Sequence, residues 1–348
     1  SIVNLKKKGD GSLTRTTNQS QTLLNVKQIM IQYIVILLDE TSVSFCHYTS
    51  NKTEHKLIPL QTLKDGIRFA MKENLNIQFV YPDYELPIEY QKEIDSIDHT
   101  DIRPATIAAN RFNDANSYVM VFDSLAETEG YNFKKDVPYL VRTDKTCLFG
   151  GEQIVAQILN VATRLNIVIT DIETFTEDDF TAYKSFLQNL SGYVKQLYVM
   201  GKTPQLNLLT DRMMLDEMNN CGAGETTVTL APNGNFYICP AFYFSNDGDA
   251  IGDVKKGLEI KNKQLFQLNH APLCRKCDAY QCRRCVWLNR KTTLEVNTPS
   301  HEQCVVAHLE RNASQQLLAS IRDFGTFLPG KEICDIDYLD PFDIKKRS

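Results

Sequence analysis

Four cysteines occur within the stretch CRKCDAYQCRRC, which covers positions 274–285. They form two C-x-x-C pairs, Cys274 with Cys277 and Cys282 with Cys285, and four residues separate the pairs. A C-x-x-C pair allows two thiolates to reach one metal centre from a single turn of chain. In a zinc site, two such pairs are usually separated by about 12–20 residues. The short spacer therefore favours sharing the pairs between two centres over closing all four thiolates around one ion.

Three further cysteines flank this stretch and bring the candidate metal ligands to seven. Cys221 and Cys239 belong to the pattern C-x12-G-x4-C, and Cys304 follows the second pair. One four-coordinate ion cannot use seven thiolates, so the set fits two centres with one ligand missing. Many cations lie beside these thiols in the sequence: Arg275, Lys276, Arg283, Arg284 and Arg290. We expect such neighbours to lower the pKa of the thiols and to offset the charge of a thiolate-bound centre.

The remaining cysteines stand apart from this cluster at Cys46, Cys147 and Cys334. Clustering of seven of the ten cysteines indicates metal binding in a reducing compartment rather than a disulfide scaffold. Cys46 follows the first clear strand and is a weak candidate for a catalytic or substrate-docking thiol, the alternative being a small core residue. Cys147 and Cys334 are expected to be inert.

Length and composition exclude several classes of protein. The chain has 348 residues, which is enough for roughly two domains. A net charge of −5 does not indicate a nucleic-acid-binding protein, because such proteins carry an excess of positive charge. The longest apolar run, IMIQYIVILL, is too short to span a bilayer, and a long polar stretch precedes it. We therefore expect a cytoplasmic protein with no nucleic-acid partner and no membrane partner.

From residue 33 to about 210, short apolar runs alternate with helical patterns. The runs predicted as strands are YIVILL (33–38), IQFV (77–80), SYVMVFD (117–123), NIVITDI (166–172), QLYVM (196–200) and LNLLT (206–210). The predicted helices cover 57–75, 150–165 and 176–191, the last opened by a capping box of Thr176 and Asp179. This alternation is typical of a parallel sheet with crossover helices, either an open sheet or a partial βα barrel. Residues 82–116 follow neither period, and no element is assigned to them.

After residue 215 the pattern changes to a hairpin. The runs TTVTL and NFYIC flank Asn233-Gly234, which is a strong hairpin signal. This pairing predicts that Cys239 lies opposite Val228, with Cys221 seven residues beyond that point. The two thiols can share a centre only if the chain folds back between them.

Two glycines beside Cys221 and a predicted helix start beside Cys304 indicate the local structure around these cysteines. Gly222 and Gly224 would allow the fold-back, because glycine accepts the left-handed backbone conformation. Ser300 and Gln303 predict the start of a helix that runs to about 322. Cys304 then lies in the first turn, where the helix dipole favours a thiolate.

The seven cysteines and their glycine resemble the SPASM domain of peptide-modifying radical SAM enzymes. The family pattern is C-x9–15-G-x4-C, a gap, C-x2-C-x5-C-x3-C, a gap and C; here each of the last two spacers of the middle element is one residue shorter. The resemblance implies one or two [4Fe–4S] clusters, with zinc as the alternative. One cluster would use Cys274, Cys277, Cys282 and Cys304. The other would use Cys221, Cys239 and Cys285, with its fourth site filled by another residue or open.

Enzymes of that family carry a partial barrel before the SPASM domain. Their barrel binds the SAM-cleaving cluster through C-x3-C-x2-C after the first strand, where this chain reads TSVSFCHYT. With Cys46 in the second position, Ser42 and Thr49 take the other two, and hydroxyls replace thiolates poorly on iron. The glycine-rich SAM-binding stretch is replaced by VYPDYELP. The resemblance therefore implies a degenerate radical SAM-like barrel, in which neither SAM binding nor SAM-dependent radical chemistry is expected.

The chain is also similar to the CXXX repeat peptide maturase family, through LLDETSVSFCHY, CGAG, PNGNFYICPAFY and CRKCDAYQCRRCVWLN. This resemblance implies maturation of a ribosomally made cysteine-repeat peptide, as in RiPP biosynthesis. The implied partners are the precursor peptide and, as candidates, a redox donor or a second maturation enzyme. The alternative is a non-catalytic protein that binds and presents the precursor, with the cysteines holding structural iron–sulfur or zinc.

Together these patterns predict an α/β chain: a partial (β/α) barrel of radical SAM type followed by a small cysteine-rich SPASM-like α+β domain. The expected division is a disordered leader (1–29), the degenerate barrel (30–215), the SPASM-like iron–sulfur domain (216–325) and a C-terminal tail (326–348). Three further side chains have expected roles. His47 is expected to point away from Cys46, His301 is a candidate replacement ligand, and Trp287 is expected to shield the metal from solvent.

Overall fold

The computed structural model describes residues 31–107, 117–245 and 250–334. The predicted leader and most of the predicted tail lie outside the described residues. Nine strands form one sheet: β1 Tyr33–Leu37, β2 Asn76–Val80, β3 Thr100–Pro104, β4 Ser117–Phe122, β5 Tyr139–Thr143, β6 Arg164–Ile169, β7 Gln205–Leu206, β8 Thr227–Leu230 and β9 Phe236–Tyr237. Their order across the sheet is β7-β6-β5-β4-β3-β2-β1-β8-β9.

The pairings in this sheet are parallel apart from the last one. Ile34 of β1 lies opposite Ile77 of β2 on one side and opposite Val228 of β8 on the other. Strand β9 runs antiparallel to its neighbour in the sheet, β8. A separate antiparallel pair is formed by β10 Gly252–Asp253 and β11 Gly257–Leu258. The predicted parallel sheet is therefore confirmed, and the second half of the chain contributes two strands to it.

The helices form the crossovers of the sheet and the layer that packs on it. They are α1 Leu60–Lys72, α2 Ile88–Ile94, α3 Lys145–Leu148, α4 Glu152–Val161, α5 Glu177–Val199, α6 Asp211–Met214, α7 Pro240–Phe244, α8 Val286–Thr293 and α9 His301–Arg322. The two long helices pack together, and the Tyr183 hydroxyl of α5 donates a hydrogen bond to the Glu310 carboxylate of α9 at 2.8 Å. This contact joins the barrel half to the cysteine-rich half.

Strand β1 is a continuous apolar run because both of its faces are buried. Ile34 and Ile36 pack in the cluster that contains the apolar face of α1. Val35 and Leu37 pack in a second cluster, together with apolar residues of the cysteine-rich half. Helix α1 approaches the sheet closely at Gly66, where a Cβ atom would lie 2.3 Å from a side-chain carbon of Leu230.

Helix α5 begins as predicted and ends later than predicted. The Thr176 hydroxyl accepts from the Asp179 N–H, and the Asp179 carboxylate accepts from the Thr176 N–H, so the capping box is confirmed. The helix continues to Val199 instead of ending near 191. The prediction of QLYVM as a strand is therefore wrong, because its short run of four apolar residues does not distinguish a buried strand from the last turns of a buried helix.

The segment left unassigned in the sequence, 82–116, contains α2 and β3. Strand β3 carries two buried charged residues, Asp101 and Arg103. They interrupt the run of apolar residues from which a buried strand is predicted in a sequence. The Arg103 Nε donates to the Asp101 carboxylate at 3.0 Å, and its guanidinium lies 4.2 Å from the ring centre of Tyr81. Charge pairing and ring stacking explain how such a strand can be buried.

The predicted hairpin is confirmed with a different register. Thr229 lies opposite Tyr237, so Cys239 falls beyond the paired residues and is not opposite Val228. Gly222 and Gly224 have positive φ angles of 65° and 76°, and they reverse the chain before β8 as predicted. The helix predicted after Ser300 is also confirmed, since its hydroxyl accepts the Gln303 N–H at the start of α9.

Candidate functional site

A cavity of about 750 Å³ lies between one face of the sheet and the cysteine-rich segment. The sheet contributes Val35, Gln78, Val119, Leu140 and Val168. The opposite wall carries the thiols Cys221, Cys239, Cys282 and Cys285, and helix α9 contributes Val306, Ala307 and Glu310. Cys46, from the loop that follows β1, lines the same space. The cavity therefore borders most of the thiols that the sequence singled out.

One group of thiols contains Cys221, Cys239 and Cys285. Burial raises the pKa of Cys239 well above its ordinary value, and the charges of Cys285 and Cys221 raise it further. Burial also raises the pKa of Cys285 to about 12, with Cys221 as the next cause. The three thiols are therefore close enough to act on one another electrostatically. Cys46 shares this environment, because its pKa is raised by burial first and then by the charges of the same three cysteines.

A second group contains Cys274, Cys277 and Cys282. Burial raises the pKa of Cys282 to about 12, and the charges of Cys274 and Cys277 also raise it. On α9, Nε2 of His308 lies 3.8 Å from Sγ of Cys277. Cys304 lies one turn before His308, and residues four apart share a helix face. The division of the thiols into two ligand sets, which the family resemblance implies, stays a prediction.

The surroundings of these thiols suit anionic sulfur ligands. Backbone N–H groups point at three sulfurs, with distances of 3.4 Å from Ala279 to Cys277 and 3.5 Å from Arg284 to Cys282 and from Leu288 to Cys285. The buried Arg284 side chain keeps two nitrogens, Nε and Nη1, without a hydrogen-bond partner among the described residues. Its charge lowers the pKa of Cys274, although burial outweighs it and raises that pKa to about 11. Thiolate-bound iron–sulfur centres are stabilised by such N–H donors and cations.

The expectation that cationic neighbours lower the pKa of the thiols is not met as a net effect. Burial is the largest cause at each shifted thiol of the two groups, and it raises the pKa. Arg275 and Lys276 are exposed and point their charge at solvent rather than at the cluster. Within residues 31–107, 117–245 and 250–334, no three His, Cys, Asp or Glu side chains are arranged to hold a metal ion. Burial therefore opposes ionisation of Cys239, Cys274, Cys282 and Cys285, and each of these thiols would lose its proton on binding a metal.

Asp278 fixes the first C-x-x-C turn to the rest of the molecule. Its carboxylate accepts from the Arg212 guanidinium at 3.0 Å and from the Arg311 guanidinium at 2.9 Å. All three side chains are buried. These two arginines belong to α6 and α9, so the turn that carries Cys274 and Cys277 is attached to both helices. The role of Asp278 was not predicted from the sequence. The feature that could have indicated it is that Asp278 is the single acidic residue in a basic stretch.

The loop after β1 is held by a buried guanidinium. Arg142 on β5 donates to the backbone carbonyl of Cys46 at 3.1 Å, to that of Tyr48 at 2.7 Å and to the Thr49 hydroxyl at 2.7 Å. It also pairs with Asp123. Neither β5 nor this arginine was assigned from the sequence, because a single charge interrupts the short apolar run.

The two hydroxyls at the positions of missing cysteines are engaged elsewhere. The Ser42 hydroxyl donates to the Val80 carbonyl at 2.8 Å and accepts from the Asp39 N–H at 3.0 Å. The Thr49 hydroxyl accepts from Arg142. Both side chains therefore stabilise the path of the loop.

Glu310 is a cavity residue that sequence reasoning missed. Its carboxylate accepts from the Tyr183 hydroxyl at 2.8 Å and lies 3.4 Å from the Gln281 amide nitrogen. Burial raises its pKa to about 7, against the effect of these two donors. A carboxyl group with this pKa can hold or release a proton near neutral pH. Nothing local in the sequence distinguishes it from Glu302, the other glutamate of α9.

The remaining candidates are placed as follows. His47 also lines the cavity, and its Nδ1 lies 2.9 Å from the Ile169 carbonyl oxygen. Residues 45–48 form a loop and not the strand that the expectation for His47 assumed. His301 packs edge-on against Phe180, and Trp287 lines the cavity beside Cys285. Cys147 and Cys334 are exposed and are not among the lining residues of the cavity.

Solved structures of anSMEcpe are similar to this chain. A histidine-tagged form of anSMEcpe with bound AdoMet has a TM-score of 0.56 at 11% identity, covering 84% of this chain and 96% of that chain. Native anSMEcpe with bound AdoMet and Cp18Cys peptide has a TM-score of 0.54 at 12% identity, covering 83% and 99%. The likeness, together with the nine-stranded and mostly parallel sheet, confirms the predicted α/β fold of radical SAM type.

The sequence itself matches no protein-family model and no curated protein. In the part of the chain that the structure describes, none of the helices is both long enough and apolar enough to cross a bilayer.

Proposed function

We propose that this chain takes part in the maturation of a cysteine-containing peptide, which binds in the cavity beside thiol-bound iron–sulfur centres. The observation that carries the proposal is that four of the predicted ligand thiols, Cys221, Cys239, Cys282 and Cys285, line one cavity of about 750 Å³. Two structures of anSMEcpe, which has the same type of fold, contain AdoMet and the peptide Cp18Cys or Kp18Cys. The finer proposal, from the family resemblance, is that the substrate is a ribosomally made CXXX repeat peptide.

The proposed cofactors are one or two [4Fe–4S] clusters. Cys274, Cys277, Cys282 and Cys304 would hold the first, and Cys221, Cys239 and Cys285 would hold the second. The N–H groups aimed at sulfur and the unpaired nitrogens of Arg284 support this assignment. When bound, such centres supply electron transfer or an iron that a substrate thiolate can ligate. Zinc in the same thiol groups is the alternative.

The chain's own residues would position the substrate and control its surroundings. Asp278 and its two arginines hold the first C-x-x-C turn in place. Val35, Val119 and Leu140 give the cavity an apolar wall that excludes water from the bound peptide. Glu310 would hold or accept a proton at the opposite wall, since its pKa is about 7.

SAM-dependent radical chemistry is not part of the proposal. The resemblance assigns the SAM-cleaving cluster to the loop after β1, where the hydroxyls of Ser42 and Thr49 are hydrogen-bonded within the protein. The Arg142 guanidinium adds a fixed positive charge to the same loop. This observation also favours a second candidate function, in which the chain binds and presents the precursor to another maturation enzyme.

Metal content is the first test. The protein is purified and reconstituted without oxygen, and iron, acid-labile sulfide, zinc and visible absorption are measured. About eight irons per chain are expected for two clusters and about four for one. Loss of about four irons on mutation of Cys274 and Cys277 would assign one cluster to that turn. Zinc without sulfide would contradict the iron–sulfur proposal.

The second test separates maturation from presentation. The iron-loaded protein is incubated without oxygen with a synthetic peptide that has cysteine at every fourth position, with a reductant, and with or without SAM. A change of peptide mass that does not require SAM supports maturation by this chain. Peptide binding without a mass change supports presentation. A mass change only in the presence of SAM would contradict the exclusion of SAM chemistry, and absence of binding would contradict both functions.

A further inference from the structure

The sheet wall of the cavity carries polar side chains at positions where a covered sheet is usually apolar. Five neighbouring strands, β2 to β6, each contribute a side chain to this wall: Gln78, Thr100, Val119, Leu140 and Asn166. Three of the five are polar, although strands covered on both faces normally carry apolar residues. A polar group away from bulk water is unfavourable unless it has a hydrogen-bond partner. These three side chains therefore indicate a polar ligand in the cavity.

Gln78 and Thr100 form the polar end of the wall at β2 and β3. They lie opposite each other in the parallel pairing of the two strands, so their Cα atoms are about 5 Å apart. Ile102, two residues along β3, packs in the same cluster as Val35, which places Thr100 on the cavity face. The Thr100 hydroxyl has no hydrogen-bond partner among the described residues. A hydroxyl and a carboxamide side by side offer a ligand both donors and acceptors.

Asn166 forms the other polar end, on β6. Its Oδ1 accepts from Nη2 of Arg164 at 2.6 Å, and the same guanidinium nitrogen donates to Asp211 at 2.8 Å. Only the amide oxygen can accept from a guanidinium, so this contact fixes which way the amide is turned. The amide nitrogen of Asn166 is thereby oriented as a donor in a residue that lines the cavity.

The chemistry of the wall favours the main chain of a peptide as its ligand. None of the five side chains is charged, so the wall offers no counter-ion to a charged group. A peptide main chain is uncharged and carries both N–H donors and C=O acceptors. Between the two polar ends, Val119 and Leu140 supply apolar surface on which side chains of the peptide can pack.

We propose that the cavity binds one extended segment of peptide across strands β2 to β6 and recognises it through its main chain. Gln78 and Thr100 hydrogen-bond to an N–H and a C=O at one end of the segment, and Asn166 donates to a C=O at the other. The proposal deepens the proposed function and rests on it, since it names how that site holds its peptide.

The width of the wall sets the length of the bound segment. Strands β2 to β6 are separated by four steps of about 4.8 Å, which is about 19 Å along the sheet. An extended chain advances about 3.3 Å per residue, so about six residues cover this width. Main-chain recognition does not depend on side-chain identity. The site should therefore require a minimum length of peptide and accept varied residues between the cysteines.

Variants of the two side chains at β2 and β3 test the proposal. An eight-residue synthetic peptide with cysteine at every fourth position is labelled with fluorescein. Its binding to the reconstituted protein is measured by fluorescence anisotropy, without oxygen and with a reductant. Thr100→Val and Gln78→Met keep the size of the side chains and remove their hydrogen bonds. Each should raise the Kd by about three- to tenfold.

Thr210→Val is the matched control at a buried threonine that does not line the cavity. The Thr210 hydroxyl accepts from the Leu206 N–H at 2.7 Å, so this variant should lower the midpoint of urea denaturation and keep the wild-type Kd. Thr100→Val should do the reverse. It removes no hydrogen bond within the described residues, so its midpoint should not fall below that of the wild type.

Modified peptides test the same proposal on the wild type, which keeps it testable if a variant does not fold. Shortening the peptide from eight residues to four should raise the Kd at least about tenfold, because one polar end of the wall is then out of reach. N-methylation of single residues between the cysteines should raise the Kd about three- to tenfold at one position or more. Replacing the side chains of those residues by alanine should change it less than about threefold.

The outcomes separate this proposal from the proposed function. Wild-type affinity in both variants, together with no effect of N-methylation, would overturn main-chain recognition and leave peptide binding intact. A larger effect of the alanine replacements than of N-methylation would show recognition of side chains and also overturn it. Weaker binding of SAM to Thr100→Val, measured without peptide, would assign this wall to SAM instead. No binding of the peptide to the wild type would overturn both proposals.

Discussion

The Arg142 guanidinium donates a hydrogen bond to the backbone carbonyl of Tyr48 at 2.7 Å. The two residues lie on different elements, since Arg142 belongs to β5 and Tyr48 to the loop after β1. Arg142 is 2% exposed, so its charge depends on these carbonyl groups and on Asp123 for compensation. One buried side chain thus sets the position of the loop that carries Cys46.

Replacement of this arginine tests the role of the guanidinium. Arg142→Met keeps much of the volume but leaves three buried or partly buried acceptors without their donor. We expect the free energy of unfolding of the metal-free protein to fall by about 3 kcal/mol, measured by urea denaturation. The control is Arg68→Met, at a side chain that is 67% exposed, with an expected change below about 0.5 kcal/mol. Equal effects of the two variants would contradict the proposed role.

The buried ion pairs of Asp278 give a second prediction. Asp278→Asn removes the negative charge between Arg212 and Arg311, which are both buried. Loss of one partner from a buried pair costs about 3–5 kcal/mol, so the variant should be strongly destabilised in denaturation experiments. It should also lower the iron content of the centre assigned to Cys274. Asp216→Asn is the control, because Asp216 is 92% exposed and solvent screens its pair with Lys331, so this variant should keep the stability of the wild type.

A third prediction concerns the turn next to Cys221. A Cβ atom at Gly222 would lie 2.0 Å from the Thr226 hydroxyl, and the φ angle of 65° disfavours any other residue. Gly222→Ala should therefore lower the free energy of unfolding by about 1–3 kcal/mol and reduce the iron content of the centre that Cys221 serves. Gly192→Ala in α5 is the matched control, since nothing lies within 4 Å of its added Cβ. Helix propensity predicts that this control is neutral or stabilised by up to about 1 kcal/mol. An unaffected Gly222→Ala would show that the turn is less constrained than described.

The raised pKa of Glu310 predicts a specific pH dependence. The folded state raises this pKa from 4.5 to about 7, so between those values it binds more protons than the unfolded state. The resulting stabilisation is complete below about pH 4.5 and is lost as the pH rises through about 7. Relative to Glu310→Gln, the wild type should therefore lose at most about 3 kcal/mol of unfolding free energy across this range. Denaturation of both proteins at several pH values measures the difference, and parallel pH profiles would contradict the assignment.

The features that the sequence predicted correctly depend on local chemistry. The turn at Asn233-Gly234 and the capping box of Thr176 and Asp179 involve residues a few positions apart. The apolar run of β1 is long enough to mark a strand buried on both faces. In each case the determining contacts lie within the segment itself, so they can be inferred without knowledge of the fold.

The features that were missed depend on contacts between distant segments. Arg142 is a single charge in β5, and its partners lie more than ninety residues earlier in the chain. The burial of Asp278 likewise depends on its ion pairs with Arg212 of α6 and Arg311 of α9, which are far from it in the sequence. The position of Cys46 beside the other thiols follows from such contacts, and no periodicity or spacing in the sequence encodes it.

The parallel pairing of β8 with β1 has a consequence for dissecting the molecule. A cut at residue 215 would pass through a single sheet, and a fragment that ended there would present β1 as an open apolar edge. Such an edge is a template for intermolecular strand pairing, so the fragment should aggregate instead of yielding an isolated barrel. The thiol-rich half would lose the strand on which β8 forms. The two halves are therefore expected to melt in one cooperative transition, and limited proteolysis near 215 should not release two folded pieces.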